Sequence, residues 1–364
     1  MSDIVLPSAV NPPSAVSPFS FTGSGREYFG IWIVNILLTI ITLGIYSAWA
    51  KVRRNRYFYG NTKLLGRGFD YHAQPKQILT GRIIAFSFLV VYNLILNFFP
   101  VIGLVLALIL LIAIPALVVR GLRFNARMTS YRNVRFGFDG KYWGALKAFV
   151  AGPLLATLSF GLLTPVASKW TYKFVFNNLR YGGKKFSASP ALGAIYKAWL
   201  IPAGVTIAGL ALLALIVLVN WASITGSLDE ADFSDPDNPP LALMVIIYGI
   251  LTGLLLVYAF AGLFYSAAVR NIVLNSSLID GKHRLHSDMP RLKFVWVAVS
   301  NFLVTIFTLG LMRPWAAVRM ARLEAEYAGV AFAGEIGDVF SEIRSDESAV
   351  GGEFMDLEGI AVGF

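Results

Sequence analysis

The stretch TLGIYSAWAKVRRNRYFYG, Thr42–Gly60, holds the key to this chain. It ends an apolar run at Gly44, restarts at Ser47, and then sets Lys51, Arg53, Arg54 and Arg56 within six positions. Two later stretches share its grammar: SFGLLTPVASKWTYKF from Ser159 and TLGLMRPWAAVRMARL from Thr308. Each has Ser or Thr two before a glycine, two apolar residues after it, then a polar or charged residue followed by Ala or Pro. A basic residue falls twelve after the glycine in all three: Arg56, Lys173 and Arg322. This is helix punctuation. The glycine suits a left-handed C′ position, Ser47 or Thr164 suits the next N-cap, and Pro suits a first helical turn. Each copy therefore predicts helix, short break, new helix, with break glycines Gly44, Gly161 and Gly310.

Hydropathy sets the class. Of 364 residues, 56% are hydrophobic and 14% charged, against about 25% charged in soluble globular proteins. Charge-free runs cover Tyr28–Ala50, Ile83–Val119, Ala148–Ser168, Ala198–Leu228, Asn238–Val269 and Phe294–Met312. Roughly 20 apolar residues cross a bilayer, so Ile83–Val119, broken at Pro100, has room for two crossings. The expectation is an all-α multi-pass membrane protein with seven apolar segments. The net charge of +10 sits in flanks of those segments, which the positive-inside rule explains without nucleic acid. There are no cysteines, hence no disulfides or thiolate metal sites.

A second motif recurs. FSFTGSGREYFG resembles RFGFDGKYWGAL at Arg135, with looser forms at Gly68, Lys185 and Arg284. Alternating aromatics predict short strands, and YGGKK and IDGKH place G-G and D-G where hairpins turn. Strand-like starts at Phe21, Phe69, Phe138, Phe186 and His286 are spaced 48, 69, 48 and 100 residues. This gives five repeat units, short-long-short-long-short: 19–68, 69–137, 138–185, 186–285 and 286–334. A disordered tail, 1–18, and an acidic tail, 335–364, flank them. Basic linkers (Lys51–Arg82, Arg120–Lys147, Lys169–Lys197, Arg270–Lys293) are expected in the cytoplasm and the acidic connection 222–240 outside. A short unit of this length cannot hold two full crossings. Either it is a re-entrant helical hairpin, the favoured form, or it crosses once with its basic helix along the interface.

IWIVNILLTIITLGIYSAWAKVRRNRYFYGNTKLLGRGFDYHAQPKQILTGR resembles the YjgN-like family of bacterial inner-membrane proteins, a domain of unknown function. The family pattern is similar to T-L-G-I-Y-S-P-W-A-K-V-R followed by R-Y-F-Y-G-N-T; Ala48 stands where Pro is usual. The resemblance spans about Phe19 to Gly334. It implies a multi-pass protein of the bacterial inner membrane and brings no catalytic residues.

Candidate functional residues are of two kinds. Asn35 and Asn301 stand nine before a break glycine, Thr39 and Thr305 five before, Thr42 and Thr308 two before. They are candidates for a polar membrane path of the kind broken helices form in transporters, or for helix–helix glue. In unit three Gly152 and Ala156 take the Asn and Thr places. Lys51, Arg53, Arg54, Arg56 and Arg67 are candidates for anionic lipid headgroups. His283 and His286, beside Asp280 and Asp288, lie at offset three on a strand, on opposite faces, which argues against a metal site. P-loop, dinucleotide, nucleophile-elbow and zinc-protease motifs are absent, and no carboxylate falls in an apolar run. The expectation is a non-enzyme without cofactor or metal. The bilayer is its partner, and its role is a passive or weakly coupled small-solute transporter or channel, or a lipid-interacting scaffold.

Overall fold

The computed structural model describes residues 16–229 and 240–343. Five units follow one another, each a strand, a helix pair and a second strand. The first is β1 (Ser17–Phe21), α1 (Gly25–Ile41), α2 (Ser47–Asn61) and β2 (Thr62–Leu64). The second is β3 (Arg67–Tyr71), α3 (Pro75–Phe98), α4 (Pro100–Arg127) and β4 (Thr129–Tyr131). In the third, β5 (Val134–Phe138) leads to α5 (Tyr142–Leu146), a π-helical turn (Lys147–Ala151) and α6 (Gly152–Leu158), and then to α7 (Thr164–Asn177) and β6 (Leu179–Tyr181). The fourth is β7 (Lys184–Ala188), α8 (Leu192–Val219), α9 (Trp221–Asp229), α10 (Leu241–Asn275) and β8 (Ser277–Ile279). The fifth is β9 (His283–Ser287), α11 (Arg291–Phe307), α12 (Arg313–Glu326) and β10 (Ala328–Ala331), after which α13 spans 336–343.

The ten strands among the described residues close into one antiparallel barrel, β10 pairing with β1. This corrects the all-α expectation. Tight turns join successive units. Leu64 faces Arg67 and Tyr131 faces Val134 across two-residue loops. Leu65, Gly66, Arg132 and Asn133 in those loops all have positive φ, the geometry that matches strand twist. Turns at Gly182 and at 280–282 join the remaining units at the predicted G-G and D-G pairs.

The units also lock themselves and each other. The amide after the first strand donates to the carbonyl before the second: Thr22 to Asn61 (3.0 Å), His72 to Met128 (2.8 Å), Asp139 to Asn178 (2.8 Å) and Ser189 to Ser276 (3.4 Å). The second helix of each unit packs on the first strand of the next, and α12 packs on β1 to close the ring. Arginines fasten this overlap. Arg56 donates to the carbonyls of Tyr71 and Ala73, Arg123 to those of Phe138 and Gly140, and Arg322 to that of Gly23. A guanidinium spans two carbonyls that end a strand, so it satisfies backbone the ladder leaves open.

Alternate strand residues fill the barrel. Leu64, Tyr131, Tyr181, Phe186, Leu285 and Val330 are buried in one cluster. The tyrosine hydroxyls inside donate to strand carbonyls, Tyr131 to Leu64 (2.6 Å) and Tyr181 to Tyr131 (2.7 Å). At the hairpin-turn mouth, α13 adds Val339, Phe340 and Ile343 to the same cluster. It is held by Lys184–Glu342 (2.6 Å), by Arg132 over the Phe340 ring (4.1 Å) and by the Ala333 amide donating to His283 Nδ1 (3.0 Å).

Among the described residues, four helices are long and apolar enough to cross a membrane: Pro75–Phe98, Pro100–Arg127, Leu192–Val219 and Leu243–Asn275. Of the seven apolar segments expected, four are therefore candidate spans among the described residues. α1 and α11 have 17 residues each, about 25 Å at 1.5 Å per residue, short of the roughly 30 Å core. In the long pair α8–α10, close approach depends on glycine. A Cβ at Gly209 would lie 2.7 Å from Val257, and one at Gly253 2.9 Å from Leu213. Of the expected flanks, 1–15, 230–239 of the acidic connection and 344–364 of the acidic tail lie outside the described residues.

Candidate functional site

The three breaks share one geometry. Leu43, Phe160 and Leu309 have φ of 48°, 50° and 51°, and Gly44, Gly161 and Gly310 have 92°, 90° and 88°. Each glycine amide donates to the carbonyl five residues back, at 2.7 Å in all three. That is a Schellman closure with the glycine at C″. The left-handed C′ residue is the apolar one before it, which corrects the assignment of glycine to C′. The cap is corrected too. Ser47 and Thr164 do not cap. Instead Thr42, Ser159 and Thr308 accept from the amides of Tyr46 (2.9 Å), Leu163 (2.9 Å) and Met312 (3.1 Å). Leu43, Phe160 and Leu309 are each 94% exposed. The glycines do not meet: a Cβ at Gly44 or Gly310 would have no packing neighbour within 4 Å.

The polar candidates are partnered within their own hairpins. Thr39 and Thr42 donate to the carbonyls of Asn35 (2.6 Å) and Leu38 (2.7 Å). Thr305 and Thr308 donate to those of Asn301 (2.6 Å) and Val304 (2.6 Å). Arg53 donates to Asn35 Oδ1 (3.5 Å) and to the Tyr46 hydroxyl (3.1 Å). At the matching places Arg319 donates to Asn301 Oδ1 (3.2 Å), and Asn301 Nδ2 donates to the Ala316 carbonyl (3.0 Å). In unit three Gly152 replaces the Asn, and Trp170, with Lys147 4.4 Å over its ring, replaces the Arg. The amide and the arginine are present together or lost together.

The basic candidates divide. Arg56 is committed to the β3 carbonyls, and Arg53 to Asn35. Arg67 is an exposed residue of β3. Lys51 and Arg54, by contrast, line a cavity of about 650 Å³ between α1, α2, α3 and α12. Arg82 and Arg313, which the sequence reading did not single out, complete it, with Asn35, Thr39, Ser47 and Asn55. Arg82 donates to the Ser47 hydroxyl. Among the described residues, four cations line this cavity and no carboxylate does. The signal for Arg82 was its place two turns into α3; only the packing of α2 on α3 brings it in.

Two more cavities follow on the same helix faces. Below Lys51, Arg54 and Asn55, α2 turns Phe58 and Tyr59 into a second cavity of about 400 Å³, with Thr62 of β2 beside them. Below Arg313 and Ala317, α12 contributes Ala321, Glu324 and Ala325. Steps of three and four residues keep these on one face. This second cavity shares Phe19, Phe69 and Ala328 with the barrel lumen, an apolar space of about 310 Å³.

These features define a class: a strand barrel of five helix-hairpin units that carries long apolar helices and a cationic cavity beside them. The chain belongs to the bacterial family of unknown function DUF898, whose model matches residues 16–357. A Salmonella typhimurium protein named inner membrane protein YjgN is 28% identical over 90% of both chains. An Escherichia coli protein of the same name is 35% identical over 42% of this chain and 38% of its own length. The YjgN-like resemblance read on Ile31–Arg82 and over about Phe19 to Gly334 thus extends to family membership. No solved structure matches.

Proposed function

We propose that this is a multi-pass protein of the bacterial inner membrane that binds anionic phospholipid headgroups in the cationic cavity. Support for the location comes from relatives named inner membrane proteins and from four helices of spanning length and apolarity. Both ends of every unit enter one barrel, so every hairpin returns to the side it left, and the barrel lies on the basic, cytoplasmic side. The long pairs cross. The short pairs are re-entrant, their left-handed apolar tips Leu43, Phe160 and Leu309 immersed in lipid. Holding a non-glycine residue left-handed costs on the order of 1–2 kcal/mol, and in water a 94% exposed leucine would bring no return.

The observation that carries the lipid reading is the lining of Lys51, Arg54, Arg82 and Arg313, without a carboxylate among the described residues. A basic residue near an anionic membrane surface contributes about 1 kcal/mol. Purified protein in mixed nanodiscs should retain anionic over zwitterionic lipid, and Arg54→Gln with Arg313→Gln should cut that selectivity on the order of tenfold. Equal retention by the double variant overturns the reading. One observation favours a second reading, passage of a small solute: the cavity reaches Asn35 and Thr39. Asn35→Leu with Asn301→Leu should then alter flux across a panel of solutes in proteoliposomes; unchanged flux removes it.

A further inference from the structure

The headgroup reading concerns only the uppermost of three cavities, and the sequence of chemistries below it is ordered. Cations ring the first. The second is mixed, with the aromatic rings of Phe58 and Tyr59 and the carboxylate of Glu324. The third, the lumen, is lined by aromatic and aliphatic side chains such as Phe136, Tyr181, Phe186 and Leu179, with His283 and His286 from β9. Phe19 and Phe69, ring centroids 6.2 Å apart, line both the second cavity and the lumen and stand where the two meet. At the far end Phe340 and Ile343 of α13 close it.

Interiors are packed to crystal density, and an unfilled apolar void forfeits dispersion contacts and stays dry. The lumen's tyrosine hydroxyls are turned onto strand carbonyls and His283 Nδ1 onto the Ala333 amide, so apart from the ring nitrogens of His283 and His286 its wall is aliphatic and aromatic carbon. Hydrocarbon gains by entering. The lumen falls at the low end of ligand-pocket volumes, roughly 300–1,000 Å³, and it is blind, which suits one chain rather than two. Lys51 to Thr62 is eleven residues of helix and turn, about 16 Å at 1.5 Å per residue, a span within reach of a long acyl chain. The four cations line only the first cavity, so the head stays at the top.

Resting on the headgroup reading, we propose that the protein binds a single-chain anionic amphiphile. Its carboxylate or phosphate sits among Lys51, Arg54, Arg82 and Arg313, and its hydrocarbon tail passes Phe19 and Phe69 into the barrel. α13 is the stopper of this sleeve.

The test uses the full chain in zwitterionic nanodiscs and two photoactivatable palmitates, one with its diazirine at the terminal carbon and one with it beside the carboxylate. The terminal probe should label lumen residues of β5–β7, and the other should label α1–α3. Excess unlabelled palmitate or lysophosphatidic acid should suppress both labels at least fivefold, whereas inorganic phosphate should not, because it lacks the tail. Ile279→Trp, which fills the lumen, should abolish the lumen label and leave anionic-lipid retention intact. Terminal-probe labelling confined to the outer faces of α3, α4, α8 and α10 overturns the proposal, as does a lumen label that phosphate removes as well as palmitate does. If Ile279→Trp fails to fold, the competition series on the native chain still decides. Anionic-lipid retention without any lumen label would sink the tail and leave the headgroup reading standing.

Discussion

At the scale of single residues, arginine chemistry organises the chain. Arg56, Arg123 and Arg322 each fasten one unit to the strand end of the next. Hydrogen bonds from charged donors contribute about 1.5–3 kcal/mol, and their loss leaves carbonyls unsatisfied. Arg123→Met should therefore lower thermal stability by that order in a nanodisc melt, while Arg67→Met, on an exposed strand position, should change it by less than about 0.5 kcal/mol. Arg56 was read from sequence as a headgroup contact because a basic cluster beside an apolar run looks alike whether it faces lipid or backbone. Its place twelve after the glycine, shared by Arg322, was the legible sign of a structural duty. The pairing of Arg53 with Asn35 and of Arg319 with Asn301 was legible in the same way, since unit three lacks both members.

His283 gives the residue scale a pH dependence. Burial pushes its pKa below the usual histidine value of 6.5; Asp280 and Glu342 pull it up, and Lys282 and Lys184 push it down further. Its Nδ1 accepts from the Ala333 amide, which a protonated Nδ1 cannot do. The folded state binds its proton less readily than the unfolded one, so the stability this contact contributes is full above pH 6.5 and is lost as pH falls through the lower folded value. Amide protection factors at 333–343, taken against the intrinsic exchange rate at each pH, should fall as pH drops from 7.5 to 5, and His283→Gln should flatten that response. An unchanged profile in the variant would assign the effect elsewhere.

At the scale of elements, the break was readable and its atomic assignment was not. The recurring Thr-Leu-Gly and Ser-Phe-Gly fixed a helix stop, but the residue that takes the left-handed turn is the apolar one before the glycine. Helix-cap statistics favour glycine there; these three breaks hold Leu43, Phe160 and Leu309 instead. Leu43→Gly should relieve about 1 kcal/mol of backbone strain yet weaken partition of the hairpin into the bilayer; the two effects separate in detergent melts and in depth-dependent quenching. Thr42→Ala, which removes the cap on Tyr46, should cost about 0.5–2 kcal/mol. In α8 and α10, Gly209→Val places a side chain against Val257 and should part the helices, seen as a loss of cross-linking between cysteines introduced at positions 213 and 253. The strands, three to five residues long, showed in sequence as alternating aromatics at recurring places.

At the scale of the whole molecule, five units of strand, helix pair and strand make a ring that no single unit predicts. Barrel closure between β10 and β1 joins residues more than 300 positions apart, and nothing local in Ala328–Ala331 announces it. α13 was hidden for a related reason. Val339, Phe340 and Ile343 share one helical face, yet they lie in a stretch read as an acidic tail, and their burial depends on a lumen that only the closed barrel creates. The seven apolar segments were all visible, but hydropathy does not report that α1 and α11 turn back at 17 residues. The cationic cavity was half legible, through Lys51 and Arg54. Arg82 and Arg313 enter from neighbouring units, so the site belongs to the ring rather than to a motif.

The central claim is that all five units return to one barrel on one side of the membrane. The chain has no cysteine, so single cysteines can be placed at the turns, at Leu65, Arg132, Gly183 and Lys282, and at Gly226 beyond the long hairpin α8–α10. Labelling with a membrane-impermeant maleimide in right-side-out and inside-out vesicles reads the side of each. All four turns should label only from the cytoplasmic face, and Gly226 only from the opposite face. Turns that alternate between faces along the chain would contradict the account.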